Sequence, residues 1–224
     1  MRNLIDLLNR SADQFGDGVA AIYRGDPVSF ASLREMVERF SRALRGLGVG
    51  PGDRVALVMP NCLHSIVCYL GAIRAGAVAV PVNIRLKPEE MRFILGDVGA
   101  RVLVAHERTW ESVSEALEGL GSVEQVLGIG VDAEGVADVE ALMAAPGPEF
   151  EPPQIAPGDV AAIIYTSGTT GLPKGAMLTH ANVLFNVQST IRGHGFRGDD
   201  THLLIVPLFH VTGLNTTMPT SLFL

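Results

Sequence analysis

Apolar residues follow two alternating spacings along the chain, one typical of helices and the other of buried strands. Residues 4–15 and 32–47 show helical spacing, whereas residues 54–59 form a short, continuous apolar run that predicts a buried strand. Two short strands, 19–24 and 27–30, form a predicted hairpin around a Gly25-Asp26 turn. The same patterns predict further helices at 62–75, 88–95 and 111–120 and further strands at 78–82, 101–105, 123–129, 160–165 and 175–178.

Strands that alternate with helices and contain continuous apolar runs indicate an α/β fold. We expect a mostly parallel sheet with helices on both faces. A proline-rich stretch, residues 146–158, reads as an extended connection. It divides the chain into a first α/β layer (1–145) with an N-terminal helix and hairpin, and a segment (159–224) that begins a second layer.

The composition argues against some classes of binding partner. The chain has 224 residues, is 47% hydrophobic and 18% charged, and has a formal net charge of −7, which argues against a nucleic-acid partner. No secretory signal is expected, because residues 1–6 lack the apolar core of such a signal. No transmembrane segment is expected, because prolines interrupt the uncharged stretch 203–224. Cys62 and Cys68 lie six residues apart on a helical pattern, so we expect two buried free thiols in a reducing cytoplasm.

The segment after the predicted strand 160–165 is rich in hydroxyl residues and glycine and ends in a lysine. Hydroxyl groups, accessible backbone N–H groups and a mobile ammonium together suit a polyphosphate. The segment is not a Walker A motif, because Lys174 precedes Gly175 and Pro173 opposes helix entry, and a P-loop kinase is therefore excluded. A helix is expected only after Thr179, a suitable N-cap.

Residues 165–175, Y-T-S-G-T-T-G-L-P-K-G, resemble the phosphate loop of the adenylate-forming superfamily. Residues 206–214, V-P-L-F-H-V-T-G-L, resemble the aromatic/His segment beside its acyl and adenylate pocket, and 48–56 and 76–83 are also similar. Within that superfamily, the residue pattern of the chain is most similar to that of the fatty acyl-CoA ligases. The resemblance implies that ATP, with Mg²⁺, activates a carboxylic acid to an acyl-adenylate, which coenzyme A then converts to a thioester.

Roles for individual residues also follow from the resemblance. Thr166 would help to hold Mg²⁺ and the phosphates, and Lys174 would pair with the terminal phosphates as a catalytic residue. His210, the second catalytic candidate, follows Phe209 at the end of a strand-like run and either borders the acyl carboxylate or is a core-edge histidine. The residues expected to wrap the β- and γ-phosphates are Ser167, Gly168, Thr169, Thr170 and Gly171.

The resemblance covers nearly the whole chain, but members of that superfamily are more than twice as long. We therefore expect an N-terminal part of a larger ligase that is inactive alone, and, from the apolar stretch 203–224, a homo-oligomer. The alternative is a non-catalytic nucleotide-binding or regulatory module that keeps the phosphate loop. The sequence does not define the carboxylic acid: fatty, aromatic and short-chain acids all remain open, and the similarity to fatty acyl-CoA ligases favours a fatty acid.

Overall fold

The computed structural model describes residues 1–166 and 172–224. Its central element is a seven-stranded sheet with the strand order β7-β6-β5-β3-β4-β8-β9. All neighbouring strands are parallel except β8 and β9, which pair antiparallel. The strands of this sheet are β3 (Arg54–Val58), β4 (Val78–Pro81), β5 (Val102–His106), β6 (Gln125–Ile129), β7 (Val136–Asp138), β8 (Val160–Thr166) and β9 (Lys174–Thr179). The expected mostly parallel α/β sheet is confirmed.

Helices cover both faces of the sheet, because alternate strand residues are apolar on each side. In β3, Val55 and Leu57 belong to one buried cluster, called here face A, whereas Ala56 and Val58 belong to the other, called face B. Face A is covered by α1 (Leu4–Phe15), α2 (Phe30–Gly46), α3 (Leu63–Arg74), α6 (Val139–Ala144), α7 (His180–His194) and α8 (Met218–Phe223). Face B is covered by α4 (Pro88–Asp97) and α5 (Trp110–Leu117).

Local capping chemistry sets the limits of several helices. The Ser29 hydroxyl accepts a hydrogen bond from the Ser32 N–H at 3.1 Å, so α2 begins two residues earlier than its apolar spacing suggests. The Thr179 hydroxyl caps α7 by accepting from the Asn182 N–H, as expected. None of the helices in the described ranges is long and apolar enough to cross a bilayer.

The hairpin of β1 (Val19–Tyr23) and β2 (Asp26–Ser29) forms a separate two-stranded sheet. The predicted turn, Gly25-Asp26, is one residue too late. The loop residues are Arg24 and Gly25, with φ of 55° and 95°, and Asp26 pairs with Tyr23. Two consecutive positive φ angles match the right-handed twist of the strands.

Candidate active site at the carboxyl edge of the sheet

Thr166 and Lys174 lie at the two ends of the glycine-rich loop. They are directly opposite one another in the β8–β9 ladder, so their Cα atoms lie about 4.5–5.5 Å apart and their side chains share a face. Both residues are exposed. The expected phosphate ligands Ser167, Gly168, Thr169, Thr170 and Gly171 lie outside the described residues.

The two residues lie at the edge where ligands bind in open α/β sheets. Thr166 is the last residue of β8. Because β8 runs parallel to β4, Thr166 lies at the carboxyl edge of the parallel part of the sheet. Strand alternation places Thr166 on the same face as Ile164, which belongs to face A together with Leu208 and Leu214. The segment that contains His210 therefore packs on the face towards which Thr166 and Lys174 point.

Tyr165 fixes the end of β8 from the opposite face. Its hydroxyl donates a 2.5 Å hydrogen bond to the Asp97 carboxylate at the end of α4. Burial raises the pKa of Tyr165, and Asp97 raises it further, so the hydroxyl remains a donor at neutral pH. The ring lies beside Gly175, where a Cβ atom would come within 3.1 Å of Tyr165 Cζ and 2.8 Å of Ile163 Cγ2. A glycine at 175 therefore lets the ring pack across the hairpin.

Asn61, just beyond β3, holds the residues that precede His210. Its amide nitrogen donates to the Val206 carbonyl at 3.0 Å, and its amide oxygen accepts from the Leu208 N–H at 2.7 Å. One side chain thus satisfies two backbone groups of a chain segment about 145 residues away, as a neighbouring strand would.

The sequence pattern predicted His210 at the end of a strand, and this prediction is wrong. Residues 201–210 contain neither strand nor helix, and His210 is exposed in a turn where its N–H donates to the Pro207 carbonyl at 3.0 Å. Its Nδ1 accepts from the Thr212 N–H at 3.2 Å. Within the described part of the chain, no hydrogen bond joins His210 to Thr166 or Lys174.

The segment before His210 packs tightly onto the strand ends. Between it and the ends of β3 and β4 there is a gap of only about 10 Å³. The gap is lined by Leu57, Met59, Ser65, Pro81, Leu208, Phe209 and Leu214. This contact therefore positions the segment and does not itself offer room for an acyl chain.

A single methyl group should disturb this segment. A Cβ at Gly213 would lie 2.4 Å from the Pro207 carbonyl oxygen, a backbone atom that cannot rotate away. We expect Gly213→Ala to pull the segment off Asn61 and to speed hydrogen exchange of the Leu208 amide about tenfold or more, since overpacking costs about 1–3 kcal/mol.

Gly193→Ala in α7 is the matched control, because a Cβ there meets nothing within 4 Å. Exchange of the Leu208 amide that is unchanged in Gly213→Ala would contradict the proposed tight contact. Exchange that is equally accelerated in Gly193→Ala would show that the effect is not local.

The described residues contain no group of three or more His, Cys, Asp or Glu side chains placed to hold a metal ion. Thr166 contributes a hydroxyl oxygen, a ligand type that suits Mg²⁺ but is insufficient alone. Mg²⁺ is commonly bound by few protein ligands, with substrate phosphates and water completing its coordination. Thr166 therefore fits a role as one ligand of a phosphate-bound ion.

Two residues of the site were not found from the sequence. Asn61 had a usable signal, because it follows a predicted strand directly and therefore lies at the carboxyl edge. Asp97 had none, since its partner Tyr165 is 68 residues away.

Comparison with known proteins extends these observations. The family model described as AMP-binding enzyme matches residues 8–224. Crotonobetaine/carnitine–CoA ligase of Salmonella paratyphi A is 31% identical, over 94% of this chain and 43% of the relative. Long-chain-fatty-acid–CoA ligase FadD13 of Mycobacterium tuberculosis is 35% identical, over 85% of this chain and 37% of the relative.

A solved structure has the same fold over nearly the whole of this chain. The anthranilate CoA ligase AuaEII, crystallised with anthranoyl-AMP, superposes with a TM-score of 0.93 at 26% identity, covering 99% of this chain and 43% of AuaEII. The chain thus spans less than half the length of the curated relatives that it matches.

Proposed function

The chain belongs to the AMP-binding enzyme family, and its relatives are CoA ligases; from this premise we propose that it contributes the ATP-phosphate site of an acid–thiol ligase. The observation that supports this most directly is the pairing of Thr166 with Lys174 at the carboxyl end of β8. The pairing brings a hydroxyl and an ammonium to the two ends of a glycine-rich loop. This combination suits the triphosphate of ATP.

In the proposed reaction, an oxygen of the substrate carboxylate attacks the α-phosphorus of ATP. The bond to the bridging oxygen breaks, pyrophosphate leaves, and an acyl-adenylate forms. The thiol of coenzyme A then attacks the acyl carbon, loses its proton, and displaces AMP. Lys174 would neutralise charge on the departing pyrophosphate, and His210 would border the acyl carboxylate.

Mg²⁺ would supply further charge neutralisation when bound with ATP. Thr166 would offer it a hydroxyl oxygen, and the nucleotide would provide the remaining charged ligands. In such chemistry the protein acts mainly by positioning the phosphates and compensating their charge. The described residues that do so are Thr166 and Lys174.

We also propose that the acid is a fatty acid, because of the similarity to FadD13. The relatives also include a ligase named for crotonobetaine and carnitine, and the structure with the similar fold contains an anthranoyl-adenylate. Acid-dependent exchange between pyrophosphate and ATP, measured with fatty, aromatic and short-chain acids on the protein that contains this chain, would identify the class. Exchange that is fastest with an aromatic acid would contradict the fatty-acid proposal.

Calorimetric titration of the chain itself tests the phosphate site. We expect Lys174→Met to weaken binding of ATP with Mg²⁺ about tenfold or more, because a hydrogen bond to a charged group contributes about 1.5–3 kcal/mol. Binding of AMP should change little, because Lys174 is expected to pair with the terminal phosphates.

Lys87→Met is the matched control, since Lys87 is the other lysine of the chain and is exposed at the start of α4. Equal loss of ATP affinity in both variants, or an equal loss for ATP and AMP in Lys174→Met, would contradict the assignment of Lys174. ATP binding without pyrophosphate exchange by the protein that contains the chain would favour a nucleotide-binding module.

A further inference from the structure

The turn at residues 207–210, which contains His210, is held by side chains that bond the residues before and after it. Before it, the Asn61 amide bonds the backbone of residues 206 and 208. The loop of Asn61 is itself fixed, because the Ser65 hydroxyl donates to the Pro60 carbonyl at 2.7 Å. The start of the turn is therefore tied to the loop between β3 and α3.

After the turn, Tyr69 of α3 holds the chain. Its hydroxyl donates a 2.6 Å hydrogen bond to Oδ1 of Asn215, and both residues are buried. Burial raises the pKa of Tyr69, so the hydroxyl remains a donor at neutral pH. Next to this bond, the Asn186 amide of α7 donates to the Thr216 hydroxyl at 2.7 Å. Asn61 and Tyr69, called here the clamp residues, thus fix the chain on both sides of the turn.

The segment that Tyr69 holds is a π turn, Gly213–Thr217, which leads directly into α8. The Thr217 hydroxyl donates to the Thr212 carbonyl at 3.1 Å and so bridges this wider turn. Such turns are rare and occur frequently at functional sites. Only two residues separate the π turn from His210, so the bond to Tyr69 also limits where His210 can lie.

The backbone around His210 also fixes the direction of its ring. The His210 carbonyl accepts from the Leu214 N–H at 3.0 Å, and its Nδ1 accepts from the Thr212 N–H at 3.2 Å. His210 therefore caps the start of the helical residues that follow it. Because Nδ1 acts as an acceptor, the neutral ring carries its proton on Nε2. The residue is exposed, so this N–H group can donate to a ligand.

We propose that the clamp residues, Asn61 and Tyr69, are positioning residues for the carboxylic acid substrate. They fix the turn so that His210 presents its Nε2–H to one oxygen of the substrate carboxylate, and the other oxygen attacks the α-phosphorus of ATP. This role rests on the proposed ligase function. It concerns the acid and not the phosphates, because in the described part of the chain the clamp residues bond the His210 segment and neither bonds Thr166 or Lys174.

The kinetic test measures exchange between pyrophosphate and ATP on the protein that contains this chain, with the acid that gives the fastest exchange. We expect Asn61→Ala and Tyr69→Phe each to raise KM for the acid at least about fivefold and to change KM for ATP less than about twofold. His210→Ala should raise KM for the acid at least as much. Adding Asn61→Ala to His210→Ala should raise it no further, because Asn61 acts through His210.

Tyr23→Phe is the matched control for Tyr69→Phe, because Tyr23 lies in the separate hairpin of β1 and β2, and it should change neither KM. A purely structural role would lower kcat through loss of folded protein and leave KM for the acid unchanged, and that result would overturn the proposal. So would an equal rise in both KM values, or a further rise in the double variant. No exchange by the unaltered protein with any acid would instead contradict the ligase function itself.

Amide hydrogen exchange of the same protein without substrates tests the positioning separately. We expect Asn61→Ala and Tyr69→Phe each to speed exchange of the Thr212 amide at least about fivefold, because the bond from this amide to His210 Nδ1 depends on a fixed turn. Tyr23→Phe should leave this rate unchanged. An unchanged rate in both clamp variants would show that they do not hold His210, and it would overturn the proposal whatever the kinetic result.

Discussion

Replacing Phe40 by alanine is expected to lower the free energy of unfolding by about 3–5 kcal/mol, the range for a large aromatic side chain removed from a core. Phe40 is fully buried on α2, and its ring covers Gly71 of α3. A Cβ at Gly71 would lie 2.7 Å from Phe40 Cδ1, which shows how closely the ring approaches the facing helix. The truncated side chain would leave a cavity that the backbone of two packed helices cannot close.

Urea unfolding of the purified chain measures this effect. Phe185→Ala is the matched control, because Phe185 is 74% exposed on α7 and its replacement should change stability by less than about 0.5 kcal/mol. A similar loss in the two variants would show that Phe40 does not anchor the contact between α2 and α3. A loss below about 1 kcal/mol in Phe40→Ala would mean that the helices collapse onto the vacated space.

The second large effect concerns acid stability and His180, the first residue of α7. His180 is buried, and its Nδ1 accepts a 3.3 Å hydrogen bond from the Leu4 N–H, which requires the neutral ring. Burial lowers the pKa of His180 to about 4, although the charges of Asp159 and Asp6 oppose the shift. The unfolded chain should bind the proton near pH 6.5.

Between about pH 6.5 and pH 4 the unfolded state therefore holds more protons than the folded state at this site, so stability falls as the pH falls. The loss should approach 1.4 kcal/mol per pH unit and total about 3 kcal/mol, and it should level off below the folded-state pKa. Above about pH 7.5 His180 is neutral in both states and contributes no pH dependence.

His180→Asn should remove this part of the acid dependence while keeping an acceptor for the Leu4 N–H. Unfolding free energies measured every half unit from pH 7.5 to 4 give the comparison. The difference between the two proteins at pH 7 measures packing and hydrogen bonding alone, and its change towards pH 4 measures proton binding. Parallel curves would show that His180 binds its proton over the same pH range in the folded and unfolded states, which would contradict the lowered pKa.

The elements that were predicted correctly have a local signal strong enough to decide their type. The apolar stripe of α2 identifies a helix, and the continuous apolar run of β3 identifies a buried strand. Neither prediction needs knowledge of the elements that pack beside it. By contrast, β7 and α6 were missed because three and six residues are too short to show a period. Asp138 did offer a local signal, since its carboxylate accepts from the Ala141 N–H at 2.7 Å and caps α6.

The strand-like pattern before His210 does not form a strand, and the reason is different. Its apolar residues are compatible with a strand, but a strand also needs a partner, and local pattern cannot supply one. Leu203 and Ile205 are 82% and 76% exposed, and Asn61 occupies backbone groups that a ladder would use. The residues proposed to bind phosphate were predicted from the resemblance, whereas the direct pairing of Thr166 with Lys174 is given only by the register of β8 and β9.

The N-terminal helix contacts parts of the protein that are synthesised much later. The Asn3 side chain donates to the Ile155 carbonyl, the Leu4 N–H donates to His180, and the Ser11 hydroxyl donates to the Leu222 carbonyl. At about 5–20 residues per second, roughly 10–40 s separate the synthesis of α1 from that of its last partner on the ribosome. Part of its apolar side can pack early, because α1 also contacts α2 and α3, but the contacts with α7 and α8 form only after those helices have been synthesised. Because contacts between residues far apart in the sequence slow folding, we expect the docking of α1 against the last helices to be a late step.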